Sequence, residues 1–108
     1  MNAWDIYNYD FPEAGAHPAV MISSPERTAR KPWVCVVFGS SQRANRAPDA
    51  TEVLLNSTDG LDWETLIKCD LIHAVRKSDL RTKRGTVNPA RRRHIVQRMI
   101  ECNGWNRL

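Results

Sequence analysis

Bulky apolar and polar side chains alternate through residues 4–11, with Trp4, Ile6 and Tyr9 set against Asp5, Asn8 and Asp10. That period of two is the mark of a half-buried strand, and Pro12 ends it. The turn-forming Glu13, Ala14, Gly15 and Ala16 lead through His17 to a short apolar run over 18–22, closed by Ser23, Ser24 and Pro25, which predicts a second strand. Residues 33–38 read WVCVVF, apolar throughout, as a central strand buried on both faces does. A polar loop over 39–49 precedes a fourth predicted strand over 51–55, and Asp59-Gly60 is a strong turn signal. Residues 61–67 fit either a helical turn or a strand. Residues 68–75, with Leu71, Ile72 and Val75 around Cys69 and His73, predict another strand.

One helix is clearly signalled. Asn88 is a good N-cap, Pro89 is favoured at the first helical position, and Gly104 supplies the stop. Between them Ile95, Val96, Met99 and Ile100 form an apolar stripe, while Arg92, Arg93 and Arg98 look elsewhere. Short strands followed by a terminal helix give an α+β arrangement, and 108 residues suit a single domain spanning the whole chain, 1–108.

Composition adds a partner class. The 42% hydrophobic and 26% charged content is that of a folding chain, and 16 Lys plus Arg against 12 Asp plus Glu leaves a net charge of +4. The excess is local: Arg76, Lys77, Arg81, Lys83, Arg84, Arg91, Arg92, Arg93 and Arg98 are opposed in that stretch only by Asp79. An anionic partner is implied, of which nucleic acid is the commonest. Cys35, Cys69 and Cys102 are odd in number and lack any CxxC spacing, so neither a disulfide framework nor a metal site is suggested, no cofactor is implied, and a reducing compartment fits. No run approaches the ~20 apolar residues of a membrane helix, and the polar, acidic start is unlike a signal peptide, so a soluble cytoplasmic protein with no membrane partner is expected.

Several segments, in order along nearly the whole chain, resemble the PemK/MazF/Kid toxins of bacterial toxin–antitoxin pairs. EAGAHPAVMISSP over 13–25 resembles that family's AGxRPAVVLS strand, and VVFGSSQ over 36–42 its strand followed by a Ser/Thr-rich step ending in Gln. EVLLNSTDGLDWETLIKCDLIHAV over 52–75 resembles its strand, DG turn, strand and CDQ-type segment, and RGTVNPARRRHIVQRM over 84–99 its GxV-x-P helix start. The resemblance implies a small, mainly antiparallel β-barrel of the CcdB/PemK toxin type with a C-terminal α-helix. It also implies a homodimer, single-stranded RNA cut without a metal, and a cognate antitoxin protein.

The sequence departs from the family at its site. His17 stands where the family ribonucleases carry an Arg, and the CDQ-type segment runs Cys69, Asp70, Leu71, Ile72, His73 without reaching an Arg. Metal-free RNA cleavage needs a base for the 2'-hydroxyl, an acid for the 5'-oxygen and donors for the phosphorane, and His serves either proton transfer near neutrality. The candidate catalytic set is therefore His17 and His73, with Ser40 and Ser41 as donors and Glu13 or Arg76 in support. Gln42, Arg43, Arg46, Arg76 and Lys77 are candidate RNA contacts. The bland alternatives are a turn histidine, loop-capping serines, a solvated basic face, and Trp33, Trp63 and Trp105 in a core or interface. Competing functions on the same fold are a non-catalytic RNA- or protein-binding member and a gyrase-targeting toxin.

Overall fold

A computed structural model describes residues 1–41 and 46–108. Six strands, β1 (Asp5–Phe11), β2 (Gly15–Met21), β3 (Trp33–Ser41), β4 (Glu52–Leu55), β5 (Thr65–Arg76) and β6 (Arg81–Thr86), form one sheet in the order β4-β5-β3-β2-β1-β6. Every pairing is antiparallel, and the curled sheet makes a half-barrel. Two helices, α1 (Pro25–Arg30) and α2 (Pro89–Cys102), complete it. This is the α+β architecture expected.

Strand alternation divides the apolar side chains into two clusters. Ile6, Val20, Val37, Val53, Leu55 and Ile67 pack with Ile95 and Met99 of α2. Tyr7, Phe11, Ala19, Met21, Val34, Val36 and Val75 form the second cluster with Leu80. WVCVVF supplies both, because β3 lies between β2 and β5 and sends Val37 one way and Val34 and Val36 the other. Trp33, Trp63 and Trp105 are half-exposed and belong to neither cluster. Val96, expected on the buried stripe of α2, is exposed as well, since Ile95 and Met99 alone set the inward face.

Local chemistry places the boundaries. Asn88 caps α2 by accepting from the Arg91 N–H at 3.2 Å, and Pro89 opens the helix. Ser24 caps α1 in the same way, accepting from the Arg27 N–H at 3.2 Å with Pro25 following; the sequence reading took Ser24 and Pro25 only as a strand stop. The segments 61–67 and 68–75 meet in one strand, β5, whose register against β3 jumps from Phe38↔Lys68 to Val37↔Ile72. The intervening Cys69, Asp70 and Leu71 bulge out of the ladder. β6 was not foreseen: RTKRGT is polar throughout and lies on a sheet edge, so it carries no alternation.

No described helix is long and apolar enough to cross a membrane.

Candidate functional site

Cross-strand register brings the two candidate histidines onto one face of the sheet. His17 of β2 lies opposite Tyr9 of β1, and two residues further along β2 Ala19 lies opposite Phe38 of β3. His73 of β5 lies opposite Val36 of β3, which shares a face with Phe38. Ring contacts close the series: His17 to Phe38 at 4.9 Å between centroids, Phe38 to Phe11 at 4.8 Å, and Phe11 to His73 at 5.0 Å. Tyr9 adds an edge contact to Phe11 at 4.8 Å. The histidines are thus half-buried ends of a row whose middle is two phenylalanine rings.

Ser40 lies on this same face, two residues beyond Phe38 and half-buried. Ser41 is exposed at the strand end and by alternation faces the other side, opposite Thr65. Glu13 sits exposed at the tip of the tight β1–β2 turn with φ of 69°. Its neighbour, the Ala14 carbonyl, accepts from His17 Nε2 at 3.1 Å. A proton on Nε2 leaves Nδ1 with the lone pair, so the turn selects the tautomer in which His17 can act as a base through Nδ1.

Charge reaches the face through Lys68 and Glu52, which the sequence did not suggest, together with Arg46, which it did. Lys68 lies opposite Phe38 across the β3–β5 ladder and opposite Glu52 across the β4–β5 ladder. The fully buried Glu52 carboxylate accepts from Arg46 through two nitrogens, each at 2.8 Å, from the Asp49 N–H at 3.0 Å, and from the Lys68 ammonium. The Arg46 guanidinium, with help from Lys68 and the Asp49 amide, holds the Glu52 carboxyl well below the usual carboxylate range against the opposing effect of burial. Arg46 and Lys68 share the Glu52 carboxylate, and the Asp49 carboxylate also acts on Arg46, so Lys68 is the cation of the group that lies opposite Phe38. Lys68 and Glu52 were missed because the bulge in β5 hides the register that puts Lys68 on the face of His73, while Tyr9 and Phe38 read only as strand residues.

The other candidate RNA contacts scatter. Arg46 belongs to the Glu52 group, while Gln42 and Arg43 lie outside the described residues. Arg76 covers the Trp33 ring at 4.8 Å, and Lys77 donates to the Thr28 carbonyl at 2.7 Å beneath α1. Both sit at the Trp33 end of β3, on the order of 25 Å along the strand from Ser41. The structure does not bring them to His17 and Ser40. The arginines of α2 divide likewise. Arg91 bonds the Leu54 carbonyl and lies 3.5 Å from the buried Asp59 carboxylate, Arg92 donates to the Val87 carbonyl at 2.8 Å, and Arg93 is exposed. Part of the basic run therefore pins the helix to the sheet. No group of three or more His, Cys, Asp or Glu among the described residues is disposed to hold a metal ion.

Thr82, in β6, has φ of 40°. A β-branched residue there stores about 1–3 kcal/mol of backbone strain. It lines a cavity of about 260 Å³ with Asn8, Tyr9, Asp10, Ala16 and Arg81.

Comparison with known proteins agrees with this architecture. Residues 2–102 match the family of PemK-like, MazF-like toxins of type II toxin–antitoxin systems. No curated protein matches the sequence significantly. Among solved structures, an endoribonuclease in complex with its cognate antitoxin from a mycobacterial species superposes with a TM-score of 0.80 at 23% identity, covering 96% of this chain and 95% of that one. The Mycobacterium tuberculosis toxin MazF-mt6 gives 0.75 at 16% identity, covering 90% and 93%. The MazE–MazF complex of Deinococcus radiodurans gives 0.73 at 16% identity, covering 96% and 95%. The chain belongs to the PemK-like, MazF-like toxin family.

Proposed function

We propose that this chain, as a member of that family, is the toxin of a type II toxin–antitoxin pair and cleaves single-stranded mRNA as a metal-independent endoribonuclease. The observation that carries the reading is the placement of His17, Ser40 and His73 on one aromatic-lined face with Lys68 beside them. Half-exposed rings such as Phe38 and Tyr9 offer stacking surfaces to bases of any sequence, and the Lys68 ammonium, opposite Phe38, is the cation that attracts the phosphate.

The chemistry follows from the positions. His17 Nδ1 removes the proton of a ribose 2'-hydroxyl, whose oxygen attacks the adjacent phosphorus. Ser40 Oγ and the Lys68 ammonium stabilise the negative charge that develops on the phosphorane oxygens. His73 stands beyond the Phe38 and Phe11 rings from His17, so in its protonated form it gives a proton to the departing 5'-oxygen through bridging water as the P–O bond breaks. The products are a 2',3'-cyclic phosphate and a free 5'-hydroxyl. Glu13, at the turn that orients His17, supports the ring indirectly through the backbone, and Ser41 and Arg76 take no part in this scheme. The partners are single-stranded RNA, a second copy of the chain in a homodimer, and an antitoxin protein, and the setting is the cytoplasm.

A second reading has one observation in its favour: His17 replaces the arginine of the family motif, which leaves the fold and its RNA-holding face without the usual charged donor. The chain would then bind RNA without cutting it. Incubating the purified protein with long single-stranded RNA in EDTA, beside His17→Ala and His73→Ala, decides between them. Fragments ending in cyclic phosphate, reduced at least a hundredfold in both variants, support the enzyme. Intact RNA with salt-sensitive binding supports the binding module.

A further inference from the structure

Glu52 opens β4, is fully buried, and touches none of the reacting atoms in the cleavage of RNA. Both of its carboxylate oxygens are filled. Oε1 accepts from Arg46 Nη1 at 2.8 Å and from the Asp49 N–H at 3.0 Å, while Oε2 accepts from Arg46 Nη2 at 2.8 Å and from the Lys68 ammonium. The loop leading into β4 is thereby folded onto Glu52, since the Asp49 carboxylate in turn accepts from the Thr51 N–H and hydroxyl, each at 2.8 Å. A buried ion pair is a weak source of stability beside apolar side chains of the same volume, so stability alone is a poor account of a carboxylate in this place.

The second cation on Glu52 stands at a particular point of the sheet. Lys68 is in register with Phe38 of β3 on one side and with Glu52 of β4 on the other, and directly after it Cys69, Asp70 and Leu71 leave the β3 ladder. The Cys69 N–H still reaches the Thr51 carbonyl at 2.8 Å, and Asn103 beyond α2 donates to the Cys69 carbonyl at 3.2 Å, so the backbone is held where the bulge starts. The lysine side chain, on its flexible four-carbon stem, is not held by backbone bonds. Glu52 supplies that hold. It also treats its two cations differently. Arg46 gives a terminal nitrogen to each carboxylate oxygen, the bidentate fork, whereas the partly exposed Lys68 gives one N–H to Oε2 and keeps the rest of its ammonium for a second acceptor.

We infer that Glu52 is a positioning residue for RNA cleavage: it fixes the Lys68 ammonium on the face of Phe38 and Ser40, where the phosphorane charge develops, and occupies Arg46 so that the phosphate goes to Lys68. Glu52 acts through Lys68 alone. A cation placed in advance stabilises developing charge better than a mobile one, which has to be ordered as the reaction proceeds.

The inference rests on the RNA-cutting reading, and its test tells failure of one from failure of the other. Initial rates on long single-stranded RNA in EDTA are measured for the parent, Glu52→Gln, Lys68→Met and the double variant, each well below its melting temperature. Affinity is measured with 2'-O-methyl RNA, which cannot be cleaved through the 2'-oxygen. Glu52→Gln should bind RNA at least as tightly as the parent, because a negative charge is gone, while kcat falls on the order of tenfold or more. Lys68→Met should lose kcat as well, and adding Glu52→Gln to it should cost nothing further. A general loosening of the fold would instead weaken binding and cleavage together and add to the loss in Lys68→Met. Parent kcat in Glu52→Gln, or additive losses in the double variant, overturns the positioning role and leaves the ribonuclease standing. A parent protein that binds RNA and cuts none overturns both. One measurement does not depend on Glu52→Gln folding: in the parent, the Lys68 ammonium, assigned in a nitrogen-15 spectrum by its loss in Lys68→Met, should exchange with water and reorient more slowly than the exposed lysines. An ammonium as mobile as theirs overturns the positioning role.

Discussion

The imidazole of His73 stands edge-on against the ring of Phe11, centroids 5.0 Å apart with planes inclined at 69°. Phe11 is 3% exposed and also receives Tyr9 and Phe38, so one buried ring touches three of the side chains on the candidate catalytic face. Phe11→Ala should cost about 3–5 kcal/mol in urea unfolding, the range for truncating a buried aromatic. Phe11→Leu, closer in volume, should cost about 1.5 kcal/mol or less yet slow RNA cleavage at least tenfold, because His73 loses its lateral support. A folded Phe11→Leu protein cutting at the parent rate would show that the ring stabilises the sheet without positioning the histidine.

Glu52 makes a pH prediction with a definite sign. Its carboxyl titrates below its unfolded value, chiefly because of Arg46, so the native state binds fewer protons there. The stability it contributes is complete above the unfolded pKa of roughly 4.3 and is lost as pH falls towards the native value. Asp5 adds in the same direction: burial raises its pKa, but bonds from the Asn2 amide, Thr86 and Lys83 outweigh that and leave it lowered. Urea melts between pH 7 and pH 3 should therefore show falling stability below about pH 5. Glu52→Gln should flatten the slope and cost about 2 kcal/mol at pH 7, less than a fully buried pair because the Arg46 side chain is 44% exposed. An unchanged slope in Glu52→Gln would assign the acid sensitivity to other carboxylates.

Sequence pattern was sufficient where a strand alternates or where a cap opens a helix long enough to show a stripe. β1, β3 and β4 and the start of α2 at Asn88-Pro89 stand where alternation, a continuous apolar run and capping chemistry put them. β6 escaped because an edge strand made of Arg, Thr, Lys and Gly shows no period, and α1, despite its Ser24-Pro25 cap, because six mostly polar residues present too few turns for a stripe. The site was half legible for a similar reason. His17, Ser40 and His73 could be named from chemistry and family likeness, but Lys68 enters only through the bulge at Cys69, Asp70 and Leu71, and no sequence period encodes a bulge. Arg76 and Lys77 followed from charge clustering, which reports composition along the chain and not position in space, and the fold spends them on Trp33 and Thr28.

The three thiols should react unequally. Burial pushes the Cys69 thiol up to about 12, and Cys102 is raised as well, burial again the main cause. Iodoacetamide at pH 8 should therefore leave Cys69 unmodified in the native protein and label it promptly in urea, with peptide mass spectrometry as the readout. Rapid native labelling of Cys69 would mean that the bulge around it opens far more readily than its packing implies.

Two glycines separate steric crowding from backbone strain. A Cβ on Gly85 would fall on the carbonyl oxygen of Asp59, whereas one on Gly15 would meet nothing within 4 Å but would have to accept φ of 83°. Gly85 and the Asp59-Gly60 turn come from two segments that resembled the toxin family separately, and the structure shows that they are in contact. The contact matters beyond its own area. The buried Asp59 carboxylate accepts from the Asn56 N–H at 3.0 Å and the Asn88 N–H at 2.9 Å and lies 3.5 Å from Arg91, so it ties the turn to the start of α2. Gly85→Ala must displace backbone and should cost about 3 kcal/mol in urea unfolding, the upper end for overpacking, while Gly15→Ala should cost about 1 kcal/mol, the penalty of a left-handed conformation alone. Hydrogen exchange should also show the first turn of α2 less protected in Gly85→Ala and unchanged in Gly15→Ala. Equal costs for the two variants would mean that the sheet edge at β6 yields to a methyl group, and Asp59 would then lose its standing as the anchor of the helix.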